Sequence, residues 1–196
     1  MLAHAPAVRD PLPQPSPWYV LADIADAGQA AALAAQVEQA LAACSDLLED
    51  AVLASSTSQS QALWKIRETI PEAQFFNVKH DVSVPVSRVP ELIERAAAAL
   101  EAAFPGVPIY AFGHIGDGNI HYNVGDQALM ARRAEVNRVV YDVVAALEGS
   151  ISAEHGLGQL KREEIRRHKD PLELELMRAL KRALDPQGLM NPGKVL

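Results

Sequence analysis

The chain has 196 residues, 49% hydrophobic and 22% charged, with a net charge of −7 and a single cysteine. That is the composition of a globular chain able to bury its own core, on a scale of about 150 residues per domain. It argues against a disulfide or Cys-rich metal fold, a membrane span, a nucleic-acid partner held by positive charge, and a redox enzyme carrying both a dinucleotide domain and a substrate domain.

Pro6, Pro11, Pro13, Pro15 and Pro17 make residues 1–17 an extended arm or linker, with residues 18–196 as the folded domain. The start lacks a basic segment and a long apolar run, so no signal peptide is expected and a cytoplasmic location is predicted. Trp18 to Ala22 is aromatic and branched and predicts a first strand. Residues 29–44 predict a helix, with Leu33, Val37 and Leu41 on one stripe. A short strand at 51–54, a polar loop at 55–60 and a helix at 61–70, stopped by Pro71, follow. Phe75, Phe76, Val78, Val82 and Val84 predict a strand ending at Pro85. Ser87 is a candidate cap for a helix buried through Val89, Leu92, Ile93, Ala96 and Leu100. Residues 107–124 predict two strands around a turn, and 127–147 a helix with a valine-rich face. A short strand at 150–153, a Gly-rich loop and helices at 161–168 and 172–184 complete the chain. One strand pair is a hairpin, which favours an α+β domain: an antiparallel sheet with helices packed on one side, plus C-terminal helices.

The hairpin reads Gly113-His114-Ile115-Gly116-Asp117-Gly118-Asn119-Ile120-His121-Tyr122-Asn123. Asp-Gly between strands signals a two-residue turn. With Asp117-Gly118 at its centre, His114 would oppose His121, their Cβ atoms about 5 Å apart. Alternation puts Asn119, His121 and Asn123 on one face and Ile120, Tyr122 and Val124 on the other. Two neutral imidazoles so placed suit a divalent cation, although a solvated hairpin face also accommodates two histidines. In Ser152-Ala153-Glu154-His155-Gly156-Leu157-Gly158, Glu154 could complete a His₂-carboxylate set, or merely cap a Gly-rich turn. Neighbours on an extended chain point to opposite sides, so Glu154 and His155 have different tasks. Basic residues of Leu63-Trp64-Lys65-Ile66-Arg67-Glu68 and of Lys79-His80-Asp81 could hold a substrate carboxylate; by spacing alone they read equally as solvated surface.

These two motifs, with Asp185-Pro186-Gln187-Gly188-Leu189-Met190-Asn191-Pro192-Gly193-Lys194, resemble the C-terminal domain of FAD-linked oxidases. This is the group of D-lactate, glycolate and D-2-hydroxyglutarate dehydrogenases among the vanillyl-alcohol-oxidase-like flavoproteins. The resemblance implies a ferredoxin-like substrate-binding cap over FAD, the flavin itself held by a separate domain or subunit absent from this chain. It implies that His114, His121 and Glu154 bind a divalent metal, zinc first among the candidates. It implies His155 as the base, Arg67, Lys79 and Asn123 as substrate contacts, and Asn191 as a residue returning toward the flavin. Pro71 departs from the pattern: the D-2-hydroxyglutarate branch carries a threonine there, and proline offers no hydroxyl. That puts 2-hydroxyglutarate itself in doubt and leaves the broader 2-hydroxyacid class.

The activity implied is oxidation of a D-2-hydroxyacid to the 2-oxoacid by hydride transfer from Cα to FAD. Alone, the chain would be colourless and unable to oxidise its substrate. Apolar surface left by a missing flavin domain would favour a homodimer. Two other classes stay open on the residues: a stand-alone His/His/Glu metallohydrolase, and a non-catalytic remnant serving as an interaction module.

Overall fold

The computed structural model describes residues 8–25, 27–28 and 30–196. Contacts divide the chain into two compact units, one ending at Phe75 and the other spanning Phe76–Leu196. The first unit contains helices α1 (Ala30–Ala43) and α2 (Thr57–Thr69). Helix α2 starts four residues before the predicted Gln61, because the Ser56 hydroxyl accepts the Gln59 N–H at 3.2 Å and caps the first turn. Pro71 opens a short 3₁₀ turn, Pro71–Ala73, directly after it.

The strands predicted at 18–22 and 51–54 do not form. Trp18 and Val20 stand 62% and 85% exposed. A strand needs a ladder partner, and no described residue of this unit supplies one. Branched and aromatic composition without a pairing edge leaves extended, unpaired chain.

The second unit runs β1 (Asp81–Ser83), α3 (Val89–Ala103), β2 (Ile109–His114), β3 (Asn119–Val124), α4 (Arg133–Ala146), α5 (Arg162–His168) and α6 (Pro171–Leu184). The strands form an antiparallel sheet in the order β1-β3-β2. The strand predicted over 75–84 contracts to β1, preceded by an isolated bridge between Val78 and Val124. The predicted strand at 150–153 is likewise one antiparallel bridge, Ser150 to Ser83, on the free edge of β1. Gly149 is needed there: a Cβ would lie 2.3 Å from the Ser83 carbonyl oxygen. Ser87 does not cap α3. A 3₁₀ turn, Val86–Arg88, intervenes, and Arg88 stands at the cap without a side-chain bond.

Period-2 and period-3.6 patterns meet in one core. Val82, Ile120, Tyr122 and Val124 line one sheet face. Leu92, Ala96 and Leu100 of α3, with Val136, Val140 and Val144 of α4, pack against it. Each large apolar side chain buried here contributes about 1.5–3 kcal/mol. Residues of both helices share a core with the apolar strand residues, and the polar strand residues alternate onto the opposite face. Among the described residues no helix is long and apolar enough to cross a membrane.

Candidate functional site

Strand alternation decides which residues share the uncovered face. Asp81 pairs with His121, Ser83 and His114 pair with Asn119, Phe112 pairs with His121, and Tyr110 pairs with Asn123. These side chains therefore lie opposite the core. The pairing extends beyond β1: His80 O accepts the Tyr122 N–H at 2.9 Å, and Val78 and Val124 exchange bonds of 2.9 Å. Lys79 lies between them, exposed, on the polar face with Asn123.

The hairpin register differs from the sequence expectation. His114 faces Asn119, and His121 faces Phe112 at 5.0 Å between ring centroids. The two histidines share a face but stand diagonally, a relation that usually spans about 7–8 Å. Two interactions widen the loop to Ile115–Gly118. The Asp117 carboxylate accepts the Asn119 N–H at 3.0 Å, so Asp117 closes an Asx turn. Gly118, at φ +72°, lies against β1's exit: a Cβ there would sit 2.1 Å from the Val84 carbonyl oxygen, and Val84 N–H donates to Gly118 O at 3.2 Å. The Asp-Gly pair therefore forms the second half of a four-residue loop.

The Ser152–Gly158 segment is fastened to this face. Asp81 Oδ2 accepts the backbone N–H of Glu154 at 2.8 Å and of His155 at 3.0 Å. Ala153 N–H donates to Asp81 O at 3.2 Å. Asn119 Nδ2 donates to Glu154 Oε1 at 2.5 Å. Within the loop, the Ser152 hydroxyl donates to Gly156 O at 2.8 Å. Farther along, the C-terminal tail joins it, Val195 N–H donating to Gly158 O at 2.7 Å. Asn191, exposed and at φ 47°, forms the turn of that tail.

Burial tends to raise the Asp81 carboxyl's pKa. The N–H donors of His155 and Glu154, aided by the charges of His155 and Lys161, outweigh this and hold it below the ordinary carboxylate value. Asp81 is 7% exposed and therefore an ionised group inside the fold. Lys161 donates to Ile151 O at 2.8 Å, and burial lowers its pKa, with Asp81 opposing.

The structure thus brings Lys79, His114, His121, Asn123, Glu154 and His155 to one face of one sheet. Arg67 belongs to the other unit, in the last turn of α2. Sequence reasoning missed Asp81 and Asn119, both buried on the polar face. Their signal was alternation: each shares the face of His121. As donors, two imidazoles and a carboxylate suit a borderline divalent cation. Asp81 Oδ1 and Asn119 Oδ1 on the same face are buried without hydrogen-bond partners, which also fits a cation. Among the described residues, however, no three His, Cys, Asp or Glu side chains are gathered as a metal site.

Residues 1–195 match the family described as FAD linked oxidases, C-terminal domain. The chain is 39% identical over 173 residues to D-2-hydroxyglutarate dehydrogenase of Stutzerimonas stutzeri, covering 82% of this chain and 37% of that protein. It is 35% identical over 205 residues to D-2-hydroxyglutarate dehydrogenase of Xanthomonas citri pv. viticola, covering 100% of this chain and 43% of the relative. A mitochondrial D-2-hydroxyglutarate dehydrogenase of Bos taurus is 38% identical over 190 residues, covering 93% and 34%. The chain spans about a third to two-fifths of the length of these relatives.

Proposed function

The chain belongs to the FAD-linked oxidase C-terminal domain family, and from that premise we propose that it is the substrate- and metal-binding part of a flavin-dependent D-2-hydroxyacid dehydrogenase. The observation that carries this reading is the shared sheet face, on which Lys79, Asn123 and both hairpin histidines meet the fastened Glu154–His155 loop. The element order supports a ferredoxin-like cap: strand, helix, two strands, helix, then the Ser150 bridge on the free edge of β1.

In this reading Arg67 clamps the substrate carboxylate, since a planar guanidinium suits bidentate contact. Lys79 and Asn123 add polar contacts. His155 takes the hydroxyl proton on its imidazole. His114, His121 and Glu154 hold a divalent cation, with zinc the first candidate, and Asn191 approaches the flavin. When bound, FAD supplies the two-electron acceptor and the cation supplies Lewis acidity. Pro71, lacking a hydroxyl, supports a substrate from the broader class of small D-2-hydroxyacids.

Metal analysis of the full chain tests the ligand set. After incubation with zinc and desalting, about one equivalent per chain should remain, held by three protein ligands with a fourth position open. His114→Ala should lose it with its far-UV spectrum intact, because His114 is exposed and outside the core. Unchanged stoichiometry would remove His114 from the set.

A further inference from the structure

The Glu154–His155 pair lies on an exposed, Gly-rich loop, yet its task requires fixed side chains. Loops of this kind are ordinarily mobile. What restrains this one comes from far away in the chain: Asp81, 73 and 74 residues earlier, accepts both backbone N–H groups on the single atom Oδ2. The carboxylate is itself held. It sits on β1 with its main chain engaged by Ala153 N–H, and pairs in register with His121. Burial leaves it 7% exposed, so water competes poorly for either bond. Hydrogen bonds to a charged acceptor are about twice as strong as neutral ones. Its second oxygen, Oδ1, takes no hydrogen bond and lies buried on the histidine face.

We propose that Asp81 is the positioning residue of this site, fixing Glu154 and His155 over the histidine hairpin through Oδ2 and lending its negative charge to the same face through Oδ1. It acts through its neighbours and need not touch substrate. This assignment rests on the functional reading above for what Glu154 and His155 do. The fastening itself stands on the hydrogen bonds alone.

Amide hydrogen exchange of the full chain separates the two. In Asp81→Ala, exchange at Glu154 and His155 should approach that of an unprotected loop. The amides of Tyr122 and Val124, bonded to His80 O and Val78 O, should keep their protection. A general packing defect would instead loosen the whole sheet. In Asp81→Asn, which keeps an acceptor oxygen but loses the charge, protection of the two amides should fall about fivefold to tenfold. That variant decides the matter if Asp81→Ala does not fold. Zinc affinity, measured by competition with a chromogenic chelator, should weaken about tenfold or more in Asp81→Ala. Wild-type exchange at Glu154 and His155 in the folded variants would overturn the proposal. If the wild-type chain retains no zinc, the metal reading falls, and the exchange result still decides the role of Asp81.

Discussion

His155→Ala should lower turnover of the chain reconstituted with a flavin domain by about 10²–10⁴-fold, the usual worth of a positioned general base. KM for the hydroxyacid should change far less, because the carboxylate contact proposed for Arg67 and the polar contacts proposed for Lys79 and Asn123 are untouched. Zinc content should also be unchanged, which separates His155 from Glu154 although the two are adjacent and their N–H groups share one acceptor. Steady-state kinetics with metal analysis on the same preparation checks all three. Near-normal turnover in the metal-loaded variant would exclude His155 as the base.

Stability should depend on pH through a buried histidine outside the proposed site. His80 is buried in the core, its Nδ1 donating to Tyr122 O at 2.7 Å and its ring edge-on to Tyr141 at 5.4 Å. Burial drives its pKa from 6.5 down to about 4; the bond to Tyr122 O and the nearby Asn137 side chain oppose this, and the Lys161 charge assists it. Because the folded value is depressed, the unfolded chain takes up the proton first as pH falls. The associated stability is fully present above pH 6.5 and is lost progressively down to about pH 4. By linkage the loss amounts to about 3 kcal/mol from this one residue. Urea unfolding at neutral pH and near the lower limit should show that loss in the wild type. In His80→Gln, which has no titrating ring, the difference between the two conditions should shrink by a similar amount. An identical pH dependence in both proteins would contradict the assignment of His80 as a neutral core residue.

Residues whose environment is set by local periodicity could be read directly. Ile120, Tyr122 and Val124 alternate with Asn119, His121 and Asn123, so both the core face and the polar face of β3 were legible. The i, i+4, i+8 spacing of Leu92, Ala96 and Leu100 likewise identified the buried stripe of α3. Features dependent on distant partners were not legible. The hairpin register turns on Gly118 resting against Val84 and on the Asp117 carboxylate bonding Asn119, and the Asp-Gly dipeptide alone suggests a tighter turn. Trp18 to Ala22 has strand composition but no edge to pair with among the described residues of its unit. Asp81 looked like part of a charged surface run with Lys79 and His80. Its neighbours on the folded chain are the N–H groups of a loop more than 70 residues later, and His80 beside it faces the core.

The proposed role of this chain is the substrate-handling part of a flavin dehydrogenase. Mixing it with the separately produced flavin domain of a curated relative, then adding a panel of D-2-hydroxyacids without oxygen, tests that most directly. Oxidised-flavin absorbance should be lost with at least one hydroxyacid only when both proteins and zinc are present, and an equivalent of 2-oxoacid should appear. Flavin that stays oxidised with every hydroxyacid, although the two proteins form a stable complex, would contradict it.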